Sequence, residues 1–145
     1  MKAYLSFLSL VAVAACSDAD MCDVNSAECL NMPASQIIAI DGDTYQVAGK
    51  RLRLAGWDSP ETGNSAKCRA EHDLGLRAEA QAKLFISTGS RARLHLLGED
   101  QYQRAVARIW LDGTDIGKML ELDGLAVRIH KDEVSGKADW CGNTS

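Results

Sequence analysis

Two short segments hold the side chains best suited to chemistry: Ile40-Asp41-Gly42-Asp43-Thr44, and Arg53-Leu54-Ala55-Gly56-Trp57-Asp58-Ser59-Pro60-Glu61-Thr62. A third, Asp100-Gln101-Tyr102-Gln103-Arg104, adds another arginine just before an apolar run. Carboxylate oxygens hold a hard cation such as Ca²⁺, a further carboxylate can activate water, and guanidinium groups fork onto phosphate oxygens. These residue types in this order are the raw material of a site that cleaves phosphodiesters with the help of a metal.

Little else in the composition would favour nucleic acid. The 145 residues, 46% of them hydrophobic, have room for one domain with one core. Formal charge is -4, and becomes -5 without the first fifteen residues, which hold one lysine and no acid. Bulk attraction to phosphate needs many Lys and Arg contacts, so such a chain must act on nucleic acid locally.

Residues 1–15 read as a lipoprotein signal peptide: Lys2 is a thin basic start, and Ala3 to Val13 is mostly apolar and too short to span a bilayer. Its end, Val13-Ala14-Ala15-Cys16, resembles the lipobox of bacterial lipoproteins. Cys16 would then be the lipidated first residue of the mature chain, anchoring it to a membrane in the cell envelope. Ser17 in the next position points to the outer membrane if the cell is Gram-negative. Cys22, Cys29, Cys68 and Cys141 remain, an even number in a compartment where disulfides persist. Four cysteines allow three pairings. Cys22–Cys29 within the polar leader and Cys68–Cys141 tying the tail to the domain are favoured, and a zinc site is weaker because no close pair of cysteines is present.

The elements that must position the site follow from periodicity. Residues 16–34 carry no apolar period and read as a lipidated tether, with the folded domain over 35–145. Gln36 to Ile40, Thr44 to Val47 and Lys50 to Ala55 read as three strands, with Gly42 and Ala48-Gly49 as turns. Over Arg69 to Ser87, Leu74, Ala78, Ala82 and Phe85 fall near helical spacing, and Gly89 follows. Arg91 to Leu97 and Ala105 to Leu111 read as two more strands; Thr114 is expected to cap a short second helix closed by Gly124. The expectation is an α+β fold, a five-stranded OB-like Greek-key β-barrel with an inserted α-helix and a second short helix.

From about Ser35 to His130 the chain resembles the staphylococcal nuclease (thermonuclease) family. The resemblance is carried by Asp41-Gly42-Asp43-Thr44, Arg53 five residues before Asp58, Asp58-Ser59-Pro60-Glu61-Thr62 and Asp100-Gln101-Tyr102-Gln103-Arg104. It implies that Asp43, Asp58 and the carbonyl of Ser59 bind Ca²⁺, and that Glu61 is the general base. It also implies that Arg53 and Arg104 bind the scissile phosphate and stabilise its five-coordinate transition state. The reaction would cleave single-stranded DNA or RNA at the 5′-oxygen, leaving 3′-phosphate ends. Tyr102 matches a tyrosine that stacks on a base, a contact worth about 1 to 3 kcal/mol, and His130 stands at a second such tyrosine.

Three departures from the pattern stand out. Gln103 replaces the usual glycine before the arginine, the loop after Thr62 is short and poor in lysine, and no long C-terminal helix is expected. A Cys68–Cys141 disulfide is expected to pin the tail beside the first helix instead. Trp57 and Trp110 read as packing residues and Tyr45 as strand surface; no protein partner is expected. The alternative from another class is a catalytically silent OB-fold module, either binding nucleic acid or serving as an envelope interaction lipoprotein.

Overall fold

The computed structural model describes residues 28–129 and 138–142. Cys16, Cys22 and His130 lie outside the described residues, as do residues 1–27 of the expected signal peptide and tether.

Among the described residues, nine strands and two α-helices follow one another. They are β1 (Cys29–Pro33), β2 (Ile37–Ala39), β3 (Thr44–Val47), β4 (Lys50–Leu54), β5 (Trp57–Asp58), α1 (Arg69–Thr88), β6 (Arg91–Glu99), β7 (Ala105–Leu111), β8 (Thr114–Asp115), α2 (Ile116–Leu122) and β9 (Val127–Arg128). The main sheet runs β1-β6-β7-β4-β3-β2, with β8 paired to β7, and curls into a half-barrel; β5 and β9 form a separate ribbon. Every pairing is antiparallel except β4 with β7. That parallel pair sets Arg53 beside Val106, two positions from Arg104. It brings together two arginine segments that lie about fifty residues apart in the sequence.

Alternation decides the inner face. Leu52 and Leu54 of β4, Ala92 and Leu94 of β6, and Ala107 and Ile109 of β7 are buried, which turns Arg53 to the other face of its strand. Against the inner face lies α1, whose Glu71, Gly75, Ala78, Ala82 and Ile86 are buried at intervals of three and four. Small residues dominate that stripe, so helix and sheet approach closely.

Three expectations need correction. The folded unit begins ahead of Ser35: β1 pairs with β6 from Cys29↔His95 to Pro33↔Arg91, within the stretch read as tether. Edge pairing needs backbone hydrogen bonds rather than an apolar period, which is why the segment gave no signal. The cap of α2 is Asp115, whose carboxylate accepts hydrogen bonds from the amides of Gly117 and Lys118, while Thr114 belongs to β8. Tyr45 is fully buried and its hydroxyl donates to the Gly42 carbonyl, 2.9 Å away. A tyrosine reads as surface for its hydroxyl, but a backbone acceptor satisfies that group inside the core.

Candidate active site

The Asp41–Thr44 turn is built by its own aspartates. Asp41 Oδ1 accepts a hydrogen bond from the Asp43 amide at 3.0 Å, and Gly42 is buried against Ser59. A Cβ on Gly42 would come 2.6 Å from the Ser59 hydroxyl, so this turn and the Asp58-Ser59 segment can meet only with glycine there. Asp43 then reaches across: its Oδ2 accepts from the Ser59 amide at 3.0 Å and lies 2.5 Å from Arg53 Nη1. The other guanidinium nitrogen of Arg53 is 3.7 Å from Asp58 Oδ1. One arginine therefore stands between two buried aspartates.

That charge balance is uneven. Burial raises the proton affinity of Asp43; the Arg53 charge works against the rise, and the nearby Asp41 and Glu61 add to it. Burial also raises Asp58, opposed chiefly by hydrogen bonds from the Ala138 amide and the Trp140 indole. The cluster carries more negative charge than Arg53 neutralises, a condition that a cation relieves. Its donors, two carboxylates and the backbone carbonyl of Ser59, are all hard oxygens and suit Ca²⁺. Among the described residues no three His, Cys, Asp or Glu side chains converge as they would in a self-sufficient metal centre. Any coordination sphere here would therefore be completed by water or substrate.

Glu61 is half-buried on the loop that leads to α1. Its amide faces Glu71 Oε1 at 3.4 Å, while Glu71 Oε2 accepts from the Lys67 amide at 2.7 Å. A buried acid inside a helix thus ties down the loop that carries Glu61. Gly75, one turn further along, lies so close to the Glu61 carbonyl that an added Cβ would collide with it. Nothing in the spacing marked Glu71; an acid near a helix start usually reads as solvated.

Asp100 builds the second arginine's turn. Its Oδ1 accepts from the amides of Tyr102 and Arg104, and its Oδ2 lies 2.7 Å from Arg104 Nε. Gln103 adopts φ 60°, the left-handed region that glycine enters without cost, so the turn keeps its shape with a side chain present. Arg104 stacks on the exposed ring of Tyr102 at 5.4 Å. Arg53, Trp57, Tyr102, Arg104 and Val106 line one depression of about 290 Å³. Trp57, though it lines the depression, is buried and stacked under Arg128.

The C-terminal tail closes the far side. Cys68, at the N-terminus of α1, is bonded to Cys141, with Cα atoms 5.9 Å apart. Cys29 is also disulfide-bonded. Asp43, Arg53, Asp58, Ser59 and Glu61 are brought together, with Arg53 shared with the depression that holds Tyr102 and Arg104.

A family model described as staphylococcal nuclease homologue matches residues 51–141. Asp43 lies just ahead of that span. A curated relative, succinoglycan biosynthesis protein ExoI of Rhizobium meliloti (strain 1021), is 32% identical over 95 residues, which make up 63% of this chain and 50% of the relative. The chain thus spans about half the length of that relative. The chain belongs to the staphylococcal nuclease homologue family.

Proposed function

We propose that the protein is a Ca²⁺-dependent nuclease that hydrolyses single-stranded DNA or RNA at the 5′-oxygen and leaves 3′-phosphate ends. The observation that carries this reading is Arg53 held between two buried aspartates and facing the depression that it shares with Arg104. A structural ion pair would need one acid for one arginine. Here excess carboxylate on one side and guanidinium groups on the other suit a cation and a phosphodiester side by side.

In this reading Asp43, Asp58 and the Ser59 carbonyl hold the cation. Glu61 takes the proton of the attacking water, its loop fixed by Glu71. Arg53 and Arg104 bind the phosphate and neutralise the charge that grows on its oxygens as water adds and the bond to the 5′-oxygen breaks. Tyr102 offers a face to a base, steadied by Arg104 stacked on it. Ca²⁺, when bound, supplies a further positive charge against which the phosphate is oriented.

The sequence Val13-Ala14-Ala15-Cys16 supports lipidation at Cys16 and retention in the cell envelope, at the outer membrane in a Gram-negative cell. Among the described residues no helix is long and apolar enough to cross a membrane.

The test is incubation of the purified protein, disulfides intact, with end-labelled single-stranded DNA and RNA in Ca²⁺ or in chelator. Ca²⁺-dependent fragments that end in 3′-phosphate support the reading. Folded protein that binds the strands without cutting them would instead make this a silent OB-fold module.

A further inference from the structure

Asp58 is 1% exposed, and its two carboxylate oxygens have different surroundings. Oδ1 lies toward Arg53, at 3.7 Å. Oδ2 accepts hydrogen bonds from the Ala138 amide at 3.0 Å and from Trp140 Nε1 at 3.2 Å. Both donors come from the tail, about eighty residues away in sequence, and among the described residues no other donor reaches Oδ2. The tail is fixed at the next residue, Cys141, by its disulfide to Cys68 at the start of α1, and it turns there through the Cys141 amide bonded to Asp139 Oδ1.

The chemistry of the donors matters. An indole N–H and a backbone amide donate one hydrogen bond each and carry no charge. They fix the orientation of a carboxylate without neutralising it, whereas a lysine or arginine in the same place would compete with a cation for it. Outer partners of this kind orient metal-binding carboxylates and tune their affinity. Burial disfavours a bare Oδ2, so a released tail would let Asp58 turn to find another donor.

We propose that Trp140, delivered by the Cys68–Cys141 disulfide, is a positioning residue for the cation site: with the Ala138 amide it engages Oδ2 of Asp58 and leaves Oδ1 facing the site. This rests on the nuclease reading above, and it assigns a role in metal affinity to a tail that touches neither phosphate nor base.

The experiment measures Ca²⁺ binding to the full chain by isothermal titration without substrate, on wild type and on Trp140→Phe, which keeps a ring of similar shape but loses the N–H. A dissociation constant raised about tenfold is expected, the scale typical of lost outer-shell partners. At saturating Ca²⁺ the turnover of Trp140→Phe should stay near wild type, because the chemical groups are intact. The double variant Cys68→Ser/Cys141→Ser, which releases the tail and leaves the Cys29 disulfide in place, supplies a second arm and should show the same weakening. A lower melting temperature with unchanged Ca²⁺ affinity in both arms would mean that the tail is structural only, which overturns the proposal and leaves the nuclease reading standing. Wild type that neither binds Ca²⁺ nor cleaves in its presence overturns both.

Discussion

Arg53 carries the tightest constraint at the scale of single residues. Its guanidinium faces Asp43 and Asp58, both shut away from water, so removing it leaves two buried carboxylates without their counter-charge. Breaking a buried pair in this way typically costs about 3 to 5 kcal/mol, far more than the pair contributes when intact. Arg53→Gln is therefore expected to lower the unfolding free energy by about 3 kcal/mol in chelator, with part of the loss restored by Ca²⁺, as followed by urea titration in the two conditions. Equal stability of wild type and variant in chelator would contradict this account of the cluster. The residues facing one another here were legible from the sequence because they sit in compact motifs. Glu71 and Trp140 were not: Glu71 reaches the site by the fold-back of the loop onto its helix and Trp140 from about eighty residues away, and an isolated acid or tryptophan in sequence carries no mark of what it will touch.

Elements place these residues through close approach rather than bulk. The buried stripe of α1 includes Gly75, Ala78 and Ala82, which let the helix sit directly beneath the Glu61 loop. Gly75→Ala should drive a methyl group into the Glu61 carbonyl. Overpacking of this kind costs about 1 to 3 kcal/mol, and here it displaces the loop that holds the proposed base. The expected result is a folded, less stable protein whose cleavage rate falls more than its affinity for substrate, read from kcat and KM. A variant with wild-type kcat would show that the loop tolerates the shift. Helix α1 was readable from its period and from Gly89, and strands β3, β4 and β6 from alternation, because burial of one face imposes both patterns. Strands β1, β5, β8 and β9 were not, since they are short, lie at edges or in a ribbon, and are fixed by backbone pairing that leaves no side-chain period.

At the scale of the whole molecule, the Cys68–Cys141 disulfide closes a loop across 73 positions and joins the tail to the start of α1. In the chain-entropy model such a crosslink contributes about 4 kcal/mol by restricting the unfolded chain. Replacing both cysteines by serine, which leaves the Cys29 disulfide in place, should lower the unfolding free energy by about that amount; an unchanged denaturation curve would place the stability elsewhere. Pairing of these two cysteines was one of three options in the sequence, and their 5.9 Å Cα separation follows from how the tail packs, which no local pattern encodes. The net charge of -4 bears on function at this scale too: substrate must be held by the few cations around the site rather than by the surface. Those cations and the carboxylates beside them are proposed to form a hydrolytic site with Glu61 as its base. The most direct measurement compares the single-turnover cleavage rate of single-stranded DNA by wild type and Glu61→Gln at saturating Ca²⁺, with folding of both verified. Glu61→Gln is expected to be slower by a factor on the order of 10² to 10⁴, the usual contribution of a positioned general base. Equal rates would contradict it.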